Sequence, residues 1–142
     1  MLNKKLISFL KKNKKNISKS RIICIGDIIL DHYINGKVER MSPEAPVPIL
    51  MMESQKYEIG GAGNVARNIS NMGAKTTLIS LSGNDYSSTI VKELLQKEKK
   101  IKSISINIPN FKTPIKTRFI NKEDHLLRVD NENIYFKLIN KY

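Results

Sequence analysis

A glycine-rich turn that leads into a helix is the first stretch of this sequence that could do chemistry. Gly60, Gly61 and Gly63 open it. Apolar residues then recur at steps of three and four, which predicts one apolar stripe on a helix: Ala62, Val65, Ala66, Ile69 and Met72. Such a turn can present bare backbone N–H groups to a ligand. The alternative is that the glycines only permit a tight turn and close packing.

Acidic residues follow the first apolar run. Residues 21–25 are mostly β-branched and predict a strand that is buried on both faces, as in a parallel sheet. Asp27 and Asp31 come where this strand should end, with His32 and Tyr33 beside them. Ligands of open α/β sheets bind outside the carboxyl ends of the strands. The group is therefore a candidate polar cluster, although a single acid here could be only a helix cap or turn former.

The segment 113–130 predicts a hairpin with charged faces. In its first strand Lys116 and Arg118 share one face, and Thr117 and Phe119 lie on the other. Its second strand places Arg128 and Asp130 on one face.

The elements that would position these residues alternate along the chain. Strands are predicted at 75–81 and 103–108. Between them a helix is predicted to run to about Lys99, with Ile90, Val91, Leu94 and Leu95 on one face. Strand–helix–strand units with right-handed crossovers predict an α/β fold with a parallel sheet.

Two segments interrupt this alternation. Residues 33–58 contain a half-exposed strand at 33–38, three prolines within 43–48 and an edge strand at 49–53. We expect this segment, with 113–130, to form a small β lid over a site. Residues 2–16 predict a basic amphipathic helix packed on the domain edge, with membrane or nucleic-acid contact as the alternative. Residues 131–142 are expected to begin another helix.

Bulk composition narrows the function classes. The chain has 142 residues, enough for one domain or part of a larger one, and a net charge of +12 from 25 basic and 13 acidic residues. Most of the basic residues are lysines, and isoleucine and asparagine are also abundant, as in proteins of AT-rich genomes. Aromatic residues do not alternate with the basic ones, so we expect no nucleic-acid partner. Anionic substrates would also suit this charge.

A cytoplasmic location is expected. The single cysteine, Cys24, excludes an internal disulfide and favours a reducing compartment. No apolar run reaches the length of a membrane span, and the N-terminus lacks the features of a secretory signal. We therefore expect no membrane partner.

Three motifs together resemble a known family. They are Gly26-Asp27-Ile28-Ile29-Leu30-Asp31, then Arg40-Met41-Ser42-Pro43-Glu44-Ala45-Pro46-Val47-Pro48, then Gly60-Gly61-Ala62-Gly63-Asn64. In type and order these motifs resemble those of the PfkB/ribokinase-like sugar kinases. Within these, the S-P-E-A-P-V-P run is most similar to the D-glycero-β-D-manno-heptose-7-phosphate kinase domains. The resemblance covers roughly residues 20–131.

The resemblance implies a Rossmann-like α/β sandwich with a small β lid. Residues 1–19 would be an N-terminal basic helix, and residues 20–142 the N-terminal part of the kinase domain. It also implies transfer of a phosphoryl group from Mg²⁺-bound ATP to a sugar. By this likeness Asp31 binds sugar hydroxyls, Gly60 and Gly61 form the lid hinge and contact sugar, and Asn64 lies next to them. Lys116, Arg118 and Arg128 are our own candidates for the sugar phosphate, with solvent-facing charge as the alternative.

One family motif is missing. The catalytic Asp of the family lies in a Gly-Ala-Gly-Asp motif, and this chain has no glycine after Gly83. By resemblance, then, neither the catalytic base nor the ATP and Mg²⁺ site is contained in the chain. We expect an N-terminal part of a kinase, inactive alone, from a shortened or split gene or cut from a longer protein. It would act with a complementary C-terminal half, or serve as a non-catalytic sugar-phosphate-binding or dimerisation module through the lid.

Overall fold

A computed structural model describes residues 3–132 of the chain. The elements in chain order are α1 (Lys4–Lys19), β1 (Arg21–Ile25), β2 (Ile28–Met41), β3 (Pro48–Gly60), α2 (Gly61–Asn71), β4 (Lys75–Ser82), α3 (Tyr86–Lys97), β5 (Ile101–Asn107), β6 (Ile115–Asn121) and β7 (Asp124–Asn131). The expected helix after residue 131 falls largely outside the described residues. The predicted α/β class is confirmed.

A parallel sheet of three strands, in the order β1-β4-β5, forms the base of the fold. Helix α2 lies against β1 and β4, and α3 packs against the bases of β2 and β3. Between them lies one apolar core, in which Cys24 is an unpaired, buried thiol. The core residues are Cys24, Ile28, Leu30, Ile59, Ala66, Leu78, Val91 and Leu95. We call β1, β4 and β5 the core sheet.

The other face of the core sheet is apolar and open among the described residues. Ile25, Ile79 and Ile104 occupy one cross-strand row. Ile23 and Ile25 are 63% and 77% exposed, and Ile106 is 49% exposed. Strand β1 was predicted to be buried on both faces, as strands of parallel sheets normally are. That prediction is wrong for this face, because none of the described elements covers Ile23 and Ile25.

A second sheet of four strands, in the order β3-β2-β6-β7, projects from the core sheet. Strands β2 and β3 form a long antiparallel hairpin, β6 runs parallel to β2, and β7 returns antiparallel to β6. The two segments expected to form a lid, 33–58 and 113–130, thus join in one sheet, which we call the lid sheet. Strand β2 begins earlier than the predicted 33–38 because Ile28 and Leu30 anchor its base in the core.

The proline-rich segment closes the hairpin between β2 and β3. The Ser42 N–H donates to the Val47 carbonyl at 2.8 Å, and the Val47 N–H to the Ala45 carbonyl at 2.7 Å. Pro48 then begins β3, which is an edge strand of the lid sheet as predicted for 49–53. An edge position tolerates proline because one side of the strand needs no ladder hydrogen bond.

Two helix predictions need correction. The buried face of α2 carries Gly63, Ala66 and Ser70, while Val65 is 52% exposed. The predicted stripe is confirmed at Ala62, Ala66 and Ile69, which pack on the core, and it is wrong at Val65 and Met72, which are exposed. It left out Gly63 and Ser70 because neither counts as an apolar residue. Helix α1 exists, yet its Phe9 is 62% exposed, and its Ile17 lines an open cavity together with Met72. None of the helices within residues 3–132 has the length and apolar character to cross a membrane.

Candidate functional site

One face of the lid sheet carries two cross-strand rows of polar side chains. Strand register places Glu58, Asp31, Lys116 and Asp130 in the first row, and Lys56, Tyr33, Arg118 and Arg128 in the second. Side chains two residues apart on a strand point to the same face, so all eight lie on one surface. We call this surface the polar face.

Asp31 and Arg118 form the central contact of the polar face. The Arg118 Nη1 donates to Asp31 Oδ1 at 2.6 Å, and the two side chains are only 18% and 17% exposed. Burial acts to lower the pKa of Arg118, but the hydrogen bond and the charge of Asp31 outweigh it, so that pKa is raised. Arg118 therefore stays cationic, and Asp31 is held in one orientation.

Gly60 and Gly61 shape the turn beside Asp31. A Cβ on Gly60 would collide with Asp31 Oδ2, so the missing side chain makes room for the carboxylate. Gly61 has φ of +56°, a left-handed conformation that glycine adopts without strain. The next residue, Ala62, donates its N–H to the Asp27 carbonyl at 2.9 Å, which ties the start of α2 to the end of β1.

Two of the predicted cations converge on Asp130. Lys116 Nζ lies 2.7 Å from Asp130 Oδ2, and Arg128 Nε lies 3.0 Å from Asp130 Oδ1. The hydrogen bond from Lys116 lowers the pKa of Asp130 against the opposing effect of burial, and the charges of both cations lower it further. Lys116 is mostly covered, at 19% side-chain exposure, whereas Arg128 is 57% exposed.

Tyr33 lies between two cations. The Arg118 guanidinium carbon is 5.1 Å from the ring centroid, and Lys56 Nζ is 4.8 Å from it. Both distances suit cation–π attraction. Lys56 also bonds Glu58 at 3.0 Å. Lys56 and Glu58 were not predicted as site residues, because only the register with β2 brings them to this face.

His32 and Asn64 do not join the polar face as the sequence suggested. His32 lies on the opposite face, where it stacks on Tyr57 at 4.3 Å and its Nε2 is 2.9 Å from Gln55 Oε1. Successive side chains of a strand point to opposite faces, so His32 lies on the other side of the sheet from Asp31 and Tyr33. Asn64 is exposed on α2 and accepts a hydrogen bond from Arg67 Nη2 at 3.0 Å. The hydrogen bonds found within residues 3–132 do not link Asn64 to Asp31.

The opposite face of the lid sheet carries an apolar groove. It encloses about 350 Å³ and is lined by Val47, Pro48, Leu50, Phe119, Leu126 and Leu127. Phe119 and Leu127 are cross-strand partners in it. The lid sheet thus has one charged face, and its other face carries both the apolar groove and the His32–Gln55 contact.

The described residues do not fit a metal site. Among residues 3–132 there is no group of three or more His, Cys, Asp or Glu side chains placed to hold a metal ion. We therefore assign none of them to Mg²⁺ and derive no step through it.

Comparison of the sequence with known proteins gives close relatives. A bifunctional protein HldE from Rhodospirillum rubrum is 40% identical over 119 residues, which are 84% of this chain and 24% of that protein. A protein of the same name from Granulibacter bethesdensis is 39% identical over 118 residues, covering 83% and 24%. The chain thus spans about a quarter of the length of these relatives.

Solved structures share the fold. A carbohydrate kinase from Agrobacterium tumefaciens superposes with a TM-score of 0.62 at 23% identity, over 79% of this chain and 35% of that chain. Phosphofructokinase-2 from Escherichia coli gives a TM-score of 0.56 at 21% identity, over 73% and 31%. These likenesses confirm the ribokinase-type architecture.

A family model described as the pfkB family carbohydrate kinase matches residues 19–137. That match covers both sheets and all of the polar face. The chain belongs to the pfkB family of carbohydrate kinases.

Proposed function

We propose that this chain is the sugar-phosphate-binding part of a PfkB-type kinase. The observation that carries the proposal is the polar face, on which Asp31 lies among Lys116, Arg118 and Arg128. A carboxylate accepts hydrogen bonds from sugar hydroxyls, and clustered cations bind phosphate. Both chemistries meet on one surface, next to the Gly60–Gly61 turn.

Within this proposal the substrate is heptose 7-phosphate, which the complete kinase phosphorylates at O1 during ADP-heptose and lipopolysaccharide core synthesis. The S-P-E-A-P-V-P run and the HldE relatives support this choice. Asp31 orients the sugar through its hydroxyls, and the cations hold the 7-phosphate. The Gly60–Gly61 turn contacts the sugar and acts as the hinge of the lid, with Asn64 as a further contact at the start of α2.

Phosphoryl transfer further requires a nucleotide, a metal ion and a base. We propose that a complementary C-terminal segment supplies them and that the complex works in the cytoplasm. ATP with Mg²⁺ would donate the phosphoryl group and neutralise charge there. The part of the reaction assigned to this chain is substrate binding and orientation.

Calorimetric titration with heptose 7-phosphate tests the proposal. Replacing Lys116 with Gln should weaken binding by about tenfold or more, because a hydrogen bond to a charged group is worth about 1.5–3 kcal/mol. Lys92→Gln is the matched control, since Lys92 is an exposed lysine of α3. Equal affinities in the wild type and both variants, or no binding at all, would reject the proposal.

The apolar groove supports a second candidate function, self-association through the lid sheet. Its lining is hydrophobic, and Leu127 is 57% exposed. Two such grooves packed together would remove this apolar surface from water. Sedimentation of the wild type should show a dimer that Leu127→Glu disrupts. Val65→Glu, on the exposed side of α2, is the control. A monomeric wild type would contradict this candidate.

A further inference from the structure

The open face of the core sheet changes character along its strands. Arg21 and Lys75 are paired at the amino ends of β1 and β4, and Lys102 on β5 lies one row further on. Strand alternation puts these three side chains on the face opposite the core. Aliphatic residues occupy most of the rest of this face: Ile23, Ile25, Ile79, Leu81, Ile104 and Ile106. The face is therefore basic at one end and apolar over the remainder.

Neither part of this face has a partner among residues 3–132. Ile25 is 77% exposed. Arg21, Lys75 and Lys102 are exposed, and the ion pairs found in the described part of the chain do not include them. An open cavity of about 390 Å³ lies among five cations, Arg21, Lys75, Lys99, Lys100 and Lys102. Crowded like charges repel one another, so a negatively polarised partner would stabilise this end of the face.

The order of the strands indicates which kind of element covers the open face. From β1 the chain crosses to β4 and then to β5, and the helices of both crossovers pack on the core side, through Ala66 of α2 and Val91 of α3. Right-handed crossovers put their helices on one face while the sheet grows in one direction. A crossover to a strand on the other side of β1 puts its helix on the opposite face. In the described core sheet that edge of β1 is free.

We propose that the open face and the free edge of β1 bind a strand–helix unit of the complementary C-terminal segment. This inference rests on the proposed function and names the surface that the segment uses. The strand extends the core sheet beside β1, and the apolar side of the helix covers Ile23 and Ile25. The chain covers 35% of the similar carbohydrate kinase from Agrobacterium tumefaciens, so that fold contains further elements to fill this place.

The basic end fixes the direction of the bound helix. A crossover helix runs antiparallel to the strands it connects, so its C-terminal end lies at their amino ends. A helix C-terminus carries a partial negative charge, which cations stabilise, and Arg21, Lys75 and Lys102 lie at that place. A second copy of the chain fits less well. A two-fold interface brings the same patch of both copies together, and this face carries no acidic side chain.

Co-purification without any sugar tests the surface. The tagged chain is co-expressed with the Rhodospirillum rubrum HldE chain from which the 119 matched residues and everything before them have been removed. The wild type should retain this segment. Ile25→Glu should retain about tenfold less or lower still, because an unpaired carboxylate is costly in an apolar contact. Val65→Glu, at a 52% exposed position of α2, is the control and should behave as the wild type. Equal retention by the two variants, or none by the wild type, would overturn the inference.

Cysteine labelling locates the contact directly. Ile25→Cys should react with a maleimide in the chain alone and be protected in the co-purified complex. Val65→Cys should react equally in both, and the buried Cys24 of the parent chain gives the background. Unchanged reactivity of Ile25→Cys in the complex would place the segment elsewhere and overturn the inference.

Charge reversal tests the direction of the helix. Lys75→Glu combined with Lys102→Glu should weaken the complex by about threefold or more, since each cation near a helix C-terminus contributes modestly. The control combines Lys92→Glu with Lys97→Glu, at two exposed lysines of α3. Equal weakening in both double variants would show a general charge effect and overturn the assignment of the basic end.

The inference and the proposed function fail in different ways. Because the association experiments contain no sugar, failure to bind heptose 7-phosphate rejects the proposed function and leaves their results unaffected. Sedimentation of the chain alone tests the second copy as occupant: a dimer that Ile25→Glu disperses would overturn the inference in favour of self-association. Circular dichroism of each variant establishes that a lost complex is not a lost fold.

Discussion

The Asp85 carboxylate joins helix α3 to the lid sheet through the backbone of Thr113. Oδ2 accepts the Thr113 N–H at 2.7 Å, while Oδ1 accepts the Ser88 N–H at 2.8 Å as the N-cap of α3. Thr113 in turn accepts the Gly83 N–H at 2.9 Å and is 2% exposed. One residue later, the Pro114 carbonyl accepts the Leu30 N–H at 2.8 Å. A helix cap thus fixes where strand β6 enters the lid sheet.

Replacing Asp85 with Ala should therefore destabilise more than an ordinary cap mutation. Loss of a cap costs about 0.5–2 kcal/mol, and a buried N–H left unpaired at Thr113 costs about 1–3 kcal/mol more. Urea unfolding measures the sum. Glu93→Ala, at an exposed position of α3, should change the free energy of unfolding by less than about 0.5 kcal/mol. Similar values for the two variants would show that the Thr113 contact adds nothing.

Gly60→Ala should displace the Asp31 carboxylate, because the new methyl group would occupy the position of Oδ2. We expect heptose 7-phosphate binding to weaken by about tenfold or more, the effect of losing a charged hydrogen bond. Gly73→Ala is the control: Gly73 has φ of +107° and no atom near its Cβ position. That change should cost stability, by about 1 kcal/mol, and leave the affinity unchanged. Unaltered affinity in Gly60→Ala would show that the Asp31 carboxylate does not need the space that Gly60 leaves.

Acid should remove the contribution of Asp130 to stability. Its pKa is lowered from 3.8 in the folded chain, chiefly by the hydrogen bond from Lys116. A lowered folded-state pKa stabilises the fold above the ordinary value, and this contribution is lost as the pH falls through the folded-state pKa. Between pH 7 and pH 3 the Asp130→Asn variant should therefore lose less stability than the wild type. If the unfolding free energies of the wild type and the variant change equally across this pH range, the Lys116–Asp130 pair does not contribute.

The purified chain should not transfer phosphate from ATP to heptose 7-phosphate. Substrate binding alone does not supply the metal, nucleotide and base that phosphoryl transfer needs. A coupled assay of ATP consumption measures this directly, and a separately expressed C-terminal segment that carries a Gly-Ala-Gly-Asp motif should restore turnover. Activity above background without that segment would disprove the prediction.

The sequence predicted the core sheet and helices α2 and α3 well, because β-branched runs and helical periodicity are local signals. It also placed Lys116, Arg118 and Arg128 on common faces, since strand alternation is local too. Which side chains contact each other across the lid sheet depends on the register between strands that are distant in the sequence. The pairing of Asp31 with Arg118, and the arrival of Lys56 and Glu58 on the polar face, therefore could not be read from spacing.

Neighbouring residues in the sequence were sometimes misleading. His32 follows Asp31 directly, yet a continuous strand sends the two side chains to opposite faces. The predicted strand began at residue 33, after both of them, so their separation was missed. Helix α1 was expected to pack on the domain edge because its pattern is amphipathic, yet its Phe9 is 62% exposed. An amphipathic pattern does not show which surface of the domain the helix can reach.

The open face of the core sheet also bears on the fate of the chain during synthesis. Ile23, Ile25, Ile104 and Ile106 together form a surface that water wets poorly. Exposed apolar surface of this kind promotes aggregation, and chaperones and proteases act on chains that expose it. The level at which the chain accumulates in a cell should therefore depend on how soon this apolar face is covered.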